Sequence, residues 1–313
     1  MLSVGLFEVN VTSAEFTTMA STATTGKTSA TGKNRNELRA LVALMDDPDP
    51  FVQDKVKEQL SGLVEQDVPV LDEIREEIGD QSLRNRLTGL IHELTFPSFE
   101  QEFAELIELG LNSTKALEQS QLLLCRLDNP TLRTELYKRQ LDRMAARLEP
   151  SFGAGLTAGE QLETFISFFF QKEYFKGDTK DYTSPDNSFI HKVLHRRRGI
   201  PLSLSMVMLF VARRLGMPLY GVNMPMHFLV KYESGNESTY VDPYNGGRIV
   251  SLDQCSYFLR KSGIVPRATH FERASEKEML ARTIRNLIIS YEKRGNQQKV
   301  NELKRLLDYF VTG

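Results

Sequence analysis

The chain is short of cysteine, of long apolar runs and of net charge, and each shortage removes a class of protein. Two cysteines, Cys125 and Cys255, in 313 residues do not make a disulfide framework, and they fit a reducing compartment. The longest strongly apolar stretch runs from Met206 to Ala212, with Leu202 and Leu204 before it. That is far short of the roughly 20 residues that span a bilayer. A formal net charge of −2 gives no global pull toward nucleic acid or an anionic membrane. The N-terminus has neither the positive start nor the apolar core of a signal peptide. The expectation is a cytoplasmic protein with no cofactor or metal, and with neither nucleic acid nor a membrane among its partners.

What is present divides the chain by pattern. Residues 1–35 are rich in Ser, Thr, Gly and Ala and bury too little to offset ordering entropy, which predicts a disordered tail. Met19 is an alternative start. From Asn36 to about Leu94, apolar residues recur at helical spacing in four stripes. They are separated by Asp46-Asp47-Pro48-Asp49-Pro50, where Asp49 suits an N-cap and Pro50 a first helical position. These paired helices resemble HEAT repeats, and residues 36–97 are expected to form such a unit. Two further helices are expected over Ala116–Leu127 and Leu132–Leu148. Another, from Gly159 to Phe175, is dense in phenylalanine and reads as core. A polar loop then leads to a helix over Phe189–Arg197, with Asp186 or Asn187 as its cap.

The second half changes period. Pro201 opens a helix that Gly216 stops, apolar all round and therefore buried on every side. Strands are expected at Leu219–Asn223, His227–Tyr232 and Thr239–Asp242, and Gly246-Gly247 marks a turn before Arg248-Ile249-Val250. Two helices close the chain, Ser275–Lys293 and Gln297–Phe310, with an elbow at Gly295-Asn296. His227 and Asp242 lie several residues from the turn on the two arms of one hairpin, so their side chains come within reach of each other. An Asp beside a His orients the imidazole and favours its charged form, as in a triad. It is also a common way for two buried polar groups to satisfy each other. A helix followed by a His strand and an Asp strand is the layout of a cysteine-type acyl-transfer site, yet neither cysteine lies at the helix start. His191 and His195, four apart on one helical face, have no third ligand nearby in sequence and read as part of a solvated basic helix end with Arg196-Arg197-Arg198.

Several runs carry a family resemblance: Arg196-Arg197-Arg198-Gly199-Ile200-Pro201-Leu202-Ser203-Leu204-Ser205, Ala212 to Pro218, His227-Phe228-Leu229-Val230, and Val241-Asp242-Pro243-Tyr244-Asn245-Gly246-Gly247. Together they closely resemble the bacterial SirB-one family, in order, from about Leu117 to Leu307. The resemblance implies an α+β, helix-rich fold. Its papain/transglutaminase-like core, with a small antiparallel sheet, is placed at 98–265. A tetratricopeptide-like helical hairpin follows at 266–313, and α-helical repeat-like hairpins flank the core. Active transglutaminase-like enzymes carry a thiol at the start of the central helix. Here that place holds Pro201 and Leu202, and the nearest hydroxyls are Ser203 and Ser205. His227, Asp242, Ser203 and Ser205 are therefore the catalytic candidates. Arg198, Asn187, Tyr244 and Asn245, in the same runs, are the binding candidates. The reading is a degenerate, non-catalytic module that binds a protein or peptide. Its rival is a hydrolase or acyltransferase with Ser203 or Ser205 as nucleophile. Oligomeric state, pathway and the identity of the partner are not legible.

Overall fold

A computed structural model describes residues 33–153, 155–235 and 237–310. The expected tail lies outside the described residues except for its last three. The chain divides into two compact units, one ending at Asp67 and the other running from Val68.

The first unit holds helices α1 (Arg35–Ala43) and α2 (Pro50–Ser61). Asn34 caps α1 by accepting from the Glu37 amide. Asp49 caps α2 by accepting from the Phe51 amide, with Pro50 at the first helical position. This is the start that the DPDP run predicts. Asp67 closes the unit: its carboxylate accepts from the amides of Lys33 at 2.8 Å and Val64 at 2.9 Å.

The second unit begins with α3 (Val68–Glu77) and α4 (Gln81–Glu108). The boundary expected at residue 97 falls inside α4, which continues through Pro97. A proline within a helix costs about 3 kcal/mol. The aromatic face on both sides of it outweighs that cost, because Ile91, Phe96, Phe99 and Phe103 are all buried and each contributes roughly 1.5–3 kcal/mol. Next come α5 (Thr114–Leu124), α6 (Thr134–Leu148) and α7 (Ala158–Ser167). A π turn over Phe168–Lys172 follows α7 where the sequence predicts continuous α-helix. It carries Phe168 and Phe169 into the core.

Strand β1 (Lys176–Gly177) pairs in parallel with β2 (Arg198–Gly199), and α8 (Ile190–Arg196) lies between them in sequence. The N-cap of α8 is Phe189, which makes no side-chain cap; neither Asp186 nor Asn187 takes that role. Helix α9 (Pro201–Arg214) follows, and every residue from Pro201 to Ala212 is buried. Strands β3 (Leu219–Val222), β4 (Leu229–Ser234), β5 (Glu237–Asp242) and β6 (Arg248–Val250) form an antiparallel meander in chain order.

Register sorts the sheet into two faces. Gly221 pairs with Val230, Val230 with Val241, and Val241 with Ile249. Of this face, Val230 and Val241 join the main core with α9 residues such as Val207 and Val211. The alternate residues Val222, Leu229 and Tyr240 pack with Cys255 and Leu259 of α10 (Leu252–Lys261). Helices α11 (Glu276–Lys293) and α12 (Gln297–Asp308) end the fold, joined at Gly295 with φ 69°. They contribute Leu280, Ile284, Leu287, Val300, Leu303 and Leu306 to the same core as α9, so the C-terminal hairpin is not a unit apart. The architecture is α+β and helix-rich, as expected.

Candidate functional site

His227 precedes β4 rather than lying within it. A turn places it: the His227 amide donates to the Met224 carbonyl at 3.1 Å. Met226 takes a left-handed φ of 62°, a conformation uncommon outside glycine and costly for a long side chain. The ring Nε2 lies 3.0 Å from Asp242 Oδ2. Asp242 ends β5 and is buried. Its Oδ1 accepts from the amides of Tyr244 at 3.0 Å and Asn245 at 3.2 Å, and its Oδ2 from Asn245 Nδ2 at 2.7 Å. Burial opposes its ionisation, but the hydrogen bonds from His227 and Asn245 prevail and hold its pKa below the ordinary carboxylate value. The turn after it needs two left-handed glycines, Gly246 at 69° and Gly247 at 77°. At Gly247 a Cβ would sit 2.5 Å from the Phe170 ring.

The pair stands on a pocket of about 290 Å³. Met224, Leu229, Val250, Cys255 and Phe258 make its apolar walls, and Asn245, Arg248 and Gln254 its polar remainder. The linings come from the sheet, the loops that join its strands and α10; no residue of α9 is among them. Strand alternation explains this. Val241 faces α9, so Asp242 next to it, opposite Arg248 in register, belongs to the face that α10 covers.

The serines are elsewhere. Ser203 Oγ is 2.5 Å from the Asn187 carbonyl oxygen and 3.2 Å from that of Ile200, and it accepts from the Ile200 amide at 3.1 Å. Ser205 donates to the Pro201 carbonyl at 2.7 Å. Both are buried, and neither lines the pocket. Among the described residues, no hydroxyl or thiol hydrogen-bonds the His227 imidazole. Of the cysteines, Cys125 is sealed in the core and burial pushes its thiol up to about 12. Cys255, in contrast, lines the His227 pocket. Burial and then the Asp242 charge raise its pKa, which disfavours the thiolate.

The binding candidates are divided. Asn245 belongs to the His227 pocket. Asn187 is fully buried and staples the loop before α8: its Nδ2 donates to the Asp181 carbonyl at 2.7 Å and its Oδ1 accepts from Arg196 at 3.2 Å. Tyr244 donates its hydroxyl to the Asp178 carbonyl at 2.9 Å. Arg198 lines a separate polar depression with Asp178, Lys180, Asp181, His195 and Arg196. The three arginines are not the solvated run that the sequence suggests. Arg196 pairs with Asp178 at 2.7 Å. Arg197, left-handed at φ 55°, pairs with Glu173 at 2.9 Å and covers the Phe175 ring. His191 turns inward to Asp128 at 3.0 Å, away from any pairing with His195. Among the described residues, no group of three His, Cys, Asp or Glu side chains is placed to hold a metal ion, and no helix is long and apolar enough to cross a membrane.

Sequence reading missed Arg248, Gln254 and Phe258 as pocket residues and gave Cys255 little weight. The signal for Arg248 was the turn itself. A five-residue connection, Pro243 to Gly247, brings position 248 back opposite Asp242. Nothing local marks α10 as the helix that covers that face.

The chain is 34% identical over 145 residues to mouse F-box only protein 21, a match that covers 44% of this chain and 23% of that protein. It is 31% identical over 182 residues to a UPF0162 protein of Xylella fastidiosa, covering 56% and 65% of the two chains. A UPF0162 protein of Vibrio cholerae is 34% identical over 131 residues, covering 42% and 48%. The chain thus spans less than two thirds of the length of each of these relatives. No solved structure matches it. Residues 135–285 match the transglutaminase-like superfamily, and within its helix-rich α+β fold the chain carries a transglutaminase-like core.

Proposed function

We propose that the protein is a degenerate transglutaminase-like module of the SirB-one kind, which binds a protein or peptide and does not turn it over. In this reading the first helices are a HEAT-like extension and the last two a tetratricopeptide-like hairpin. One observation carries the proposal. The start of α9, where transglutaminase-like enzymes carry their thiol, holds Pro201 and Leu202, and the hydroxyls of Ser203 and Ser205 are committed to main-chain carbonyls. A nucleophile needs its base within about 3.2 Å, or modestly farther without substrate. The His227 ring has Asp242 instead, and the free space beside it is a pocket with apolar walls.

The rival reading, a hydrolase or acyltransferase built on His227 and Asp242, draws its support from the pair itself. A 3.0 Å contact to an ionised carboxylate is the arrangement that orients a general base. Turnover of a panel of amide and ester substrates separates the two. The expected result is no turnover that is lost in His227→Ala, Ser203→Ala, Ser205→Ala or Cys255→Ser, and none abolished by thiol alkylation. Turnover lost in His227→Ala and equally in one of the three nucleophile variants would establish the enzyme.

A further inference from the structure

The pocket beside His227 has an imbalance in its unused hydrogen-bonding capacity. Asp242 already accepts four contacts, from His227, the Tyr244 amide, and the amide and side chain of Asn245. Gln254 gives its carbonyl oxygen to the Ser251 amide at 3.0 Å, in the capping box of α10, and among the described residues its NH₂ meets no acceptor. Arg248 is exposed, and among the described residues its guanidinium meets no carboxylate or other acceptor. The capacity left over on the β6 and α10 side is therefore that of donors: a guanidinium and an amide NH₂. They stand beside the first turn of a ten-residue helix, whose N-terminal end favours negative charge. A planar guanidinium facing a pocket with apolar walls suits a carboxylate attached to an apolar group.

The surroundings extend beyond what a small acid would use. Phe258, which lines the pocket, and Leu252 and Tyr257 of the same helix are exposed large apolar side chains, Tyr257 at 65%. Scattered exposed apolar residues need no explanation, but three on the helix that walls a pocket suit a contact surface. Strand β6 is also the outer strand of its sheet, an edge on which an extended segment can pair.

We propose that this pocket takes the free C-terminus of a partner chain ending in an apolar residue. The terminal carboxylate is held by Arg248 and Gln254, the last side chain enters between Leu229, Val250 and Phe258, and the preceding residues lie along β6. The pocket volume of about 290 Å³ accommodates one terminal residue. This rests on the binding-module reading of the same site and names what the module binds.

The test is fluorescence anisotropy with N-terminally labelled decapeptides, randomised upstream and ending in Leu, Val or Phe, each as the free acid and as the C-terminal amide. The free acids should bind at least about tenfold more tightly than the amides, the scale of one charge-assisted hydrogen bond. Arg248→Gln, an exposed change that leaves the core untouched, should abolish the difference while the circular dichroism spectrum and Tm stay unchanged. Phe258→Ser should weaken the acid and amide forms alike. No binding, equal binding of acid and amide, or an undiminished preference in Arg248→Gln would overturn the proposal. So would N-acetyl-leucine competing as well as the peptides, since the site would then be a small-acid pocket. Cleavage of the peptides during the assay would count against the non-catalytic reading instead and leave terminus recognition standing.

Discussion

At the scale of single residues, the contrast is between a carboxylate with a partner in the pocket and a hydroxyl with none there. Asp242 is buried and engaged by four donors, so Asp242→Asn disturbs a satisfied charged network. A loss of about 1–3 kcal/mol is expected in urea unfolding at neutral pH. The pH dependence has a definite sign. Because the folded pKa is depressed, the contribution is complete above the ordinary value of 3.8 and is lost as pH falls through the lower folded value. The unfolding free energies of wild type and Asp242→Asn should therefore converge as pH drops below 3.8; a gap that persists in acid would mean the change acts through packing. Ser203 is the opposite case. Its hydroxyl ties the α9 start to Asn187 and Ile200 in a buried position. Ser203→Ala leaves the Ile200 amide and the Asn187 carbonyl short of a partner and should cost about 1–3 kcal/mol. Unchanged stability would remove the structural role assigned to it.

At the scale of elements, close approach at glycine shows how the sheet meets the C-terminal helices. A Cβ at Gly221 in β3 would lie 2.7 Å from Met279 Sδ in α11 and 2.8 Å from the Phe228 ring. Gly221→Ala must displace the Met279 and Phe228 side chains, and overpacking of this kind typically costs about 1–3 kcal/mol. The expected outcome is a lower Tm; an unchanged one would mean that the Met279 side chain moves aside freely. The His92 ring of α4 ties to Glu302 of α12 at 3.0 Å, and Lys299 reaches the Leu127 carbonyl at 2.8 Å. The last helix is thus held by polar as well as apolar contacts.

For the whole molecule, these contacts decide what the C-terminal hairpin is. Leu280, Ile284, Leu287, Leu303 and Leu306 are each 0% exposed, and burial of such a side chain contributes roughly 1.5–3 kcal/mol. Deletion from Ser275 onward uncovers the matching face of α5 and the sheet. The truncated chain is expected to aggregate or to lose its cooperative melt, as read by size-exclusion chromatography and thermal scanning. If it stayed monodisperse with its Tm intact, the hairpin would be an independent adaptor and partner binding would be sought there.

Much of the architecture is legible in the sequence because it follows from local rules. Period and caps place α2 at Pro50, α9 between Pro201 and Gly216, and the two last helices on either side of Gly295. The span between His227 and Asp242 brings them together because a hairpin leaves few other registers. What the sequence alone could not decide depends on neighbours distant along the chain. Pro97 reads as a break until the aromatic face of α4 is seen to be buried on both sides of it. Ser203 reads as a nucleophile candidate until strand alternation turns Asp242 toward α10 and leaves the serines inside the α9 core. Arg248, Gln254 and Phe258 read as ordinary surface until α10 folds over the sheet and brings them beside His227 around one pocket. Local pattern determines elements through backbone geometry; which faces meet is settled by the burial of apolar surface summed over the whole chain.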